Sequence, residues 1–214
     1  MAVVQSPLMG EMSGKVANFV TSTCGKQNVV RTKAFKPKNA NTESQKFVRK
    51  SFKLIITEDK SWGGIISLGF AEVPEGKTAS NMFMAQNVSK AIVKSGDEPV
   101  IDYSLLTVAN GSLPVVIVSE AVIVADGISI SYRSTSGVPS IKATDEMMAV
   151  AKTKAGEILI CKQARGSESE ATILISYPGI KASDIQCCYV FVRNADGSKS
   201  SKSVHIPFAT LPHI

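Results

Sequence analysis

The sequence predicts a mainly β protein of the α+β class: an N-terminal hairpin plus two helices, followed by an antiparallel β-sandwich or barrel. From residue 99 onward, about eight short apolar segments follow one another, separated by turn residues such as Asp126-Gly127 and Asp196-Gly197. Before residue 99, apolar residues recur at helical spacing in two places. We therefore divide the chain into a basic α/β N-terminal region, 1–98, and an antiparallel β-sandwich domain, 99–214.

The predicted hairpin consists of residues 15–24 and 28–33, which are rich in β-branched and aromatic residues. The stretch "LMGEMSGKV", which overlaps the start of this hairpin, resembles a nucleotide-binding loop. That motif needs four residues between its glycines and a Ser or Thr after its lysine. Gly10 and Gly14 are separated by three residues, and Val16 follows Lys15. We therefore predict a strand that begins at Lys15 and no nucleotide site.

The first predicted helix begins after Thr42, because Thr42 and Gln45 form a T-x-x-Q capping box, and it ends near residues 58–61. An apolar stripe is expected to pack inward and consists of Val48, Phe52 and Ile55. The opposite side carries a basic ridge that is expected to face outward and consists of Lys46, Arg49, Lys50 and Lys53.

The second predicted helix covers residues 80–94. Apolar residues recur there at helical spacing, namely Met84, Val88, Ala91 and Ile92. Gly96 is expected to end this helix, because glycine adopts the left-handed conformation found at helix C-termini.

The charge is concentrated at one end of the chain. Residues 1–60 contain 11 Lys+Arg and 4 Asp+Glu, whereas the remainder contains 13 and 14, so the net charge of +6 comes from the first part. This asymmetry indicates a polyanionic partner, an acidic neighbouring subunit or a solvated face. The candidate basic interaction patch consists of Lys46, Arg49, Lys50, Lys53, Lys33, Lys36 and Lys38.

Residues suited to catalysis are scarce. The two histidines, His205 and His213, belong to no catalytic motif, and we interpret His205 as an ordinary strand residue. Acidic pairs lie near predicted turns, where we expect solvated charges: Asp145/Glu146 and Glu168/Glu170. We therefore predict that the protein is not an enzyme and has no catalytic or cofactor-binding residues and no cofactor.

The four cysteines are Cys24, Cys161, Cys187 and Cys188, and none forms a C-x-x-C motif. Cys187 and Cys188 would point to opposite faces of a strand, which makes a shared metal site unfavourable. We interpret all four as small buried apolar residues and predict no metal site and no disulfide framework. No apolar run approaches membrane-spanning length and the N-terminus has no signal-peptide pattern, so we expect cytoplasmic synthesis and no membrane partner.

Several segments together resemble an uncharacterised family of small basic proteins from one group of Gram-negative bacteria and their phages. They are "SGKV" (13–16), "VVRTK" (29–33), "TESQKFVRKSF" (42–52), "LGF" (68–70), "VIDYSLLTVANGSL" (100–113) and "VFVRNADGSKSSKS" (190–203). Ala17 departs from the family pattern, which often has glycine there. The resemblance implies an N-terminal α/β portion and a C-terminal sandwich similar to immunoglobulin or fibronectin type III domains, with no activity to transfer.

These observations favour a non-enzymatic structural or assembly protein. A virion component, in a phage capsid or tail, and a self-assembling homo-oligomer are the expected forms. Such a protein would be made in the cytoplasm and could end in a virion. The alternative is a nucleic-acid-binding protein that uses the basic segment 26–53, although no base-reading motif is present.

Overall fold

The computed structural model describes residues 2–4, 13–24, 27–33, 40–134, 142–166 and 168–207. The chain forms two compact units, Met1–Thr42 and Glu43–Ile214. Three helices and several antiparallel sheets make the protein mainly β with an α+β composition, as the sequence predicts.

The N-terminal unit contains one antiparallel sheet of four strands in the order β1-β4-β3-β2. Its strands are β1 (Ala2–Val4), β2 (Gly14–Val16), β3 (Phe19–Cys24) and β4 (Gln27–Thr32). The predicted hairpin is confirmed in the pairing of β3 with β4. The prediction of one continuous strand from residue 15 to 24 was wrong. The chain turns after β2, where Ala17 has a φ of 49°, so β2 folds back on β3.

The helices are α1 (Glu43–Ser61), α2 (Ile65–Gly69) and α3 (Ala79–Asn87). α1 begins and ends where its capping box and apolar spacing predict. α2 is additional to the two helices predicted, because the apolar segment 65–69 forms one short helical turn after Gly63, which has a φ of 54°.

The second predicted helix was too long. It ends at Asn87, whose side chain bonds the following loop: Nδ2 donates to the Thr107 carbonyl oxygen at 2.9 Å, and Oδ1 accepts from the Thr107 backbone N–H at 2.8 Å. The chain then forms a hairpin of β5 (Ile92–Ser95) and β6 (Glu98–Ile101). Gly96 supplies the turn of that hairpin, with a φ of 61°, rather than a helix end.

Two antiparallel sheets follow, ordered β11-β8-β7 and β10-β9-β12-β13. Their strands are β7 (Ile117–Val124), β8 (Gly127–Arg133), β9 (Glu146–Thr153), β10 (Ile158–Ala164), β11 (Glu170–Ser176), β12 (Ile185–Arg193) and β13 (Val204–His205). Each corresponds to a predicted apolar segment. The first of the apolar segments that begin at residue 99 was expected to be a strand over its whole length, 99–108, and that was wrong beyond Ile101, because the chain is irregular from there to the start of β7.

The sheet containing β9 and β12 is buried on both faces. Successive residues of a strand point to opposite faces, and alternate residues of β9 and β12 accordingly belong to different cores. Ala149 and Val190 pack between the two sheets, in a core that also contains Ile130 of β8. Val150 and Phe191 pack on the other side, against the helices.

Both sheets and all three helices therefore lie in the unit Glu43–Ile214. The division at residue 98 would separate the helices from the sheet that they cover. As a statement about independent domains it stays a prediction.

Candidate functional site

Helix α1 buries one face against the rest of its unit. Ser51, Ile55, Glu58 and Trp62 are buried and follow a spacing of four, three and four residues, which places them on one side of an α-helix. Ile55 is fully buried, as the sequence predicts. Glu58 lies among apolar neighbours on this face, and the sequence analysis did not identify it.

A second apolar row on α1 remains exposed. Val48 and Phe52 were expected to pack inward, but they are 51% and 45% exposed, and Ile56 is 41% exposed. At about 100° per residue, this row lies beside the buried face rather than on it. Placing Val48 and Phe52 in the same stripe as Ile55 was therefore wrong. We call Val48, Phe52 and Ile56 the apolar row.

An open groove lies between Phe52 of the apolar row and α3 with the residues just after it. Its volume is about 450 Å³, and its lining residues are Phe52, Asn81, Met84, Ala85, Val88 and Ser89. Met84 and Val88 were expected to lie in the core, and both are half-buried, with one side packed against the core and the other lining the groove. The groove is therefore apolar, with small polar groups at its α3 edge.

The basic ridge follows the outer side of α1. Lys46 is half-buried and Arg49, Lys50 and Lys53 are exposed. Acidic neighbours neutralise part of it: Lys46 Nζ lies 2.7 Å from Glu43 Oε1, and Lys50 Nζ binds Glu98 Oε1. Exposed pairs of this kind contribute only about 0–1 kcal/mol each to stability.

The other basic residues of the predicted patch do not belong to α1. Lys33 is exposed at the end of β4 in the N-terminal unit. Lys36 and Lys38 lie outside the described residues. Lys60, which does not belong to the predicted patch, is exposed in the last turn of α1.

The polar residues of the buried face form a closed cluster. Lys152 Nζ on β9 lies 2.6 Å from Glu58 Oε1 and donates to Ser61 Oγ at 2.8 Å. Trp62 Nε1 donates to the same carboxylate oxygen at 2.9 Å. Tyr103 Oη approaches the second oxygen at 3.4 Å. Glu58 and Lys152 are only 7% and 5% exposed, so water does not compete for these bonds.

The cluster is poorly suited to nucleophilic chemistry. Burial raises the pKa of the Cys187 thiol to about 12, which keeps it protonated at neutral pH. Burial, with the nearby Glu58 carboxylate, also raises the pKa of Tyr103. The polar atoms satisfy one another, and none of the residues in the cluster lines the groove. The arrangement anchors α1 to the sheet.

A family described as a family of unknown function (DUF6266) matches residues 11–207. The chain belongs to this family. No curated protein matches the sequence of this DUF6266 member. The family description assigns no activity, so the residues of the chain must carry any functional argument.

His205 of this DUF6266 member lies on β13, and its ring packs edge-on against Tyr189, with the ring centroids 5.4 Å apart. Burial lowers the pKa of His205, and the Asp102 carboxylate partly opposes that shift. His213 lies outside the described residues. The placement of His205 on a strand agrees with its interpretation as a strand residue.

The acidic pairs have different surroundings. Asp145 was expected to be solvated, and that was wrong: it is buried, its Oδ2 accepts from the Lys142 backbone N–H at 3.0 Å, and its carbonyl accepts from the Arg165 N–H at 2.6 Å. It closes the turn that leads into β9. Glu168 and Glu170 are exposed, and Glu170 pairs with Arg133.

Cys187 and Cys188 are buried on opposite faces of β12, as predicted, whereas Cys161, which was also expected to be buried, is half-buried. The Cys24 side chain lies outside the described part of the structure. Within the described ranges, no three His, Cys, Asp or Glu side chains are grouped so that they could hold a metal ion. None of the helices in those ranges combines the length and apolar character needed to cross a membrane.

Proposed function

We propose that this protein is a non-enzymatic subunit of a multi-subunit assembly and that it contacts another subunit through the exposed face of α1 and α3. The observation that carries this proposal is the apolar row beside the open groove. Exposed apolar surface that borders a groove and is rimmed by charge is typical of interaction sites. Three large apolar side chains in one row on a helix differ from single exposed apolar residues, which are ordinary.

The absence of catalysis is part of the same proposal. It is supported by the hydrogen bonds of the buried polar groups, because Lys152 binds both Glu58 and Ser61 beneath α1. A catalytic acid or base needs to reach a substrate. The groove is instead lined by apolar side chains, the Asn81 amide and the Ser89 hydroxyl, none of which is an acid or base near neutral pH.

We also infer that the two sheets form an immunoglobulin or fibronectin type III-like sandwich. If β7 to β13 are lettered A, B, C, C′, E, F and G, the sheet orders become E-B-A and C′-C-F-G. Immunoglobulin-type sandwiches likewise place A, B and E in one sheet and C, F and G in the other. Such sandwiches occur in many assembly and adhesion proteins. This likeness concerns the fold and assigns no partner. A virion is one setting for such a subunit, supported only by the resemblance of the sequence.

The test of the assembly role is the native mass of the tagged full chain, expressed in the cell that encodes it and measured by light scattering after gentle purification. We expect a particle well above the 22.7 kDa of one chain. The variant Val48→Gln/Phe52→Gln/Ile56→Gln should reduce it toward one chain, because the apolar row then loses its contact. Glutamine keeps the helix propensity high.

The matched control changes three apolar residues of similar exposure elsewhere, in Ile117→Gln/Ile160→Gln/Leu174→Gln. It should leave the native mass unchanged. A native mass that the apolar-row variant does not lower would refute the assembly role of this face.

Nucleic-acid binding is a second candidate, favoured by the exposure of Arg49 and Lys53 on one side of α1. Charge reversal in Arg49→Glu/Lys50→Glu separates the two. If nucleic acid is the partner, the variant loses binding that already weakens steeply with salt. If an acidic subunit is the partner, the variant loses assembly while its fold, measured by circular dichroism, stays intact.

A further inference from the structure

We propose that the groove between α1 and α3 receives an acidic amphipathic helix from a second protein. This inference rests on the proposed function and names the chemistry of the partner. Two independent features of the groove support it: the shape of its apolar surface and the sign of the charge along its rim.

The apolar row is long enough to contact two turns of a helix. The apolar row extends from Val48 to Ile56, which are eight positions apart on α1 and thus about 12 Å apart along the helix axis. A helix that lies in a groove inserts side chains at positions i, i+3 or i+4, and i+7, which cover the same length. Phe52 forms one wall, and Met84 and Val88 form the other.

The charge on the rim is positive on one side and absent on the other. α3 has the sequence ASNMFMAQN and contains no charged residue. On α1, Lys53 and Lys60 are exposed beyond the apolar row and form no ion pair with any other residue that the structure describes. A partner helix with Asp or Glu beside its apolar face would pair with these lysines.

Among the acidic residues of α1, Glu58 is buried against Lys152, and Asp59 is half-buried in the last turn. Glu43 and Glu98 pair with Lys46 and Lys50, in the first half of the helix. The lysines of α1 without an ion pair to any described residue, Lys53 and Lys60, therefore both lie in its second half, where Asp59 offsets part of their charge. This predicts that the acidic residues of the partner lie over the C-terminal half of α1.

The same charges disfavour the other occupants. A second copy docked through the same face would bring one basic ridge close to another, and like charges repel across such a contact. A nucleic acid would be held by the ridge alone, because phosphates gain nothing from the apolar row. An acidic amphipathic helix uses both features at once.

A synthetic helix provides the direct test. The probe is a labelled 14-residue peptide with leucine at positions 3, 7 and 10 and glutamate at the flanking positions, and its control has lysine in place of every glutamate. Fluorescence anisotropy with the full chain should show binding at least 10-fold tighter for the acidic peptide. Equal binding of the two peptides, or no binding of either, would overturn the proposal.

Variants of the chain locate the binding. Phe52→Gln should weaken the binding of the acidic peptide at least 10-fold, whereas Ile160→Gln, at a residue of similar exposure on β10, should leave the affinity unchanged. Lys53→Glu/Lys60→Glu should reverse the preference and favour the lysine peptide. The control Lys154→Glu/Lys162→Glu changes two exposed lysines elsewhere and should retain the original preference. If the preference does not follow Lys53 and Lys60, the proposed partner chemistry is wrong.

Two further outcomes would also overturn it. One is a purified chain that dimerises and loses its dimer in Phe52→Gln, which would make a second copy the occupant. The other is a 20-nucleotide single strand that binds through Lys53 and Lys60 while the acidic peptide does not bind.

Failure here is distinguishable from failure of the assembly role. If the apolar-row variant lowers the native mass but the acidic peptide does not bind, the assembly role stands and the partner chemistry is wrong. If the native mass is unchanged in that variant, the assembly role fails whatever the peptide does.

Discussion

The two faces of the sheet that contains β9 and β12 are buried in different ways. The face toward the second sheet is covered by apolar side chains, such as Ala149, Val190 and Ile130. The face toward the helices combines apolar residues with the buried pair of Glu58 and Lys152. Apolar contact is non-directional, whereas the ion pair needs one position of α1 along the sheet. A shift of α1 by one turn would separate the two charges.

Removing the helices that cover one face of this sheet should have the largest effect. The segment 99–214 alone should keep a circular dichroism spectrum with strand and almost no helix. It should nevertheless bind an apolar dye and aggregate, because Met148, Val150 and Phe191 lose their cover. A monomeric segment that binds no dye would show that the sheet does not need the helices, and would support a domain boundary at residue 98.

Breaking the buried pair should have the next largest effect. Lys152→Met leaves the Glu58 carboxylate buried without its partner and should lower the free energy of unfolding by about 3–5 kcal/mol. Urea denaturation measures the change. The double variant Glu58→Leu/Lys152→Met should recover most of it, because no uncompensated charge remains.

The matched control is the exposed pair of Arg133 and Glu170. Arg133→Met should lower the free energy of unfolding by at most about 1 kcal/mol, since exposed pairs contribute little to stability. An equal cost for Lys152→Met and Arg133→Met would contradict the anchoring role of the buried pair.

The close packing of α2 against residues 108 and 109 should give a smaller effect on stability when it is disturbed. A Cβ added at Gly69 would lie 2.8 Å from the Ala109 Cα and still closer to the Val108 carbonyl oxygen. Gly69→Ala should therefore lower the free energy of unfolding by about 1–3 kcal/mol through overpacking. Gly64→Ala, where no atom lies within 4 Å of the added Cβ, is the control and should have little effect. Thermal unfolding of both variants compares them.

The smallest expected effect is a pH dependence from His205. Its pKa is lowered in the folded state, so the unfolded chain binds the proton more readily. The stability that His205 contributes is present above its unfolded pKa of about 6.5 and decreases as the pH falls below that value. His205→Gln should flatten this dependence in urea denaturation between pH 7 and pH 5. An unchanged slope would show that other groups cause it.

The strands from β7 to β13 were predictable because alternation and glycine turns are local signals. The limits of α1 were predictable for the same reason. The end of α3 was not, because the Asn87 amide stops that helix by bonding to Thr107, twenty residues away. Spacing alone could not show that Asp145 is buried, because its burial depends on the packing of the loops around it.

The candidate site was only partly predictable. The basic ridge follows from helical spacing: Arg49, Lys50 and Lys53 are exposed as expected, whereas Lys46 is half-buried. Assigning Val48 and Phe52 to the interior was wrong, because apolar character does not show which of two adjacent rows faces the core. The signal that could have separated them is the spacing of Ser51, Ile55, Glu58 and Trp62, which continues to the end of the helix.

The adjacent cysteines of β12 can report separately on the two cores that lie on either side of this sheet. Cys187 lies in the core beneath the helices and Cys188 in the core between the sheets, although one peptide bond joins them. An alkylating reagent can reach each thiol only when its own layer opens. Local opening of proteins occurs in cooperative units with separate free energies. The relative alkylation rates of the Cys187 and Cys188 thiols therefore show which of the two cores opens first.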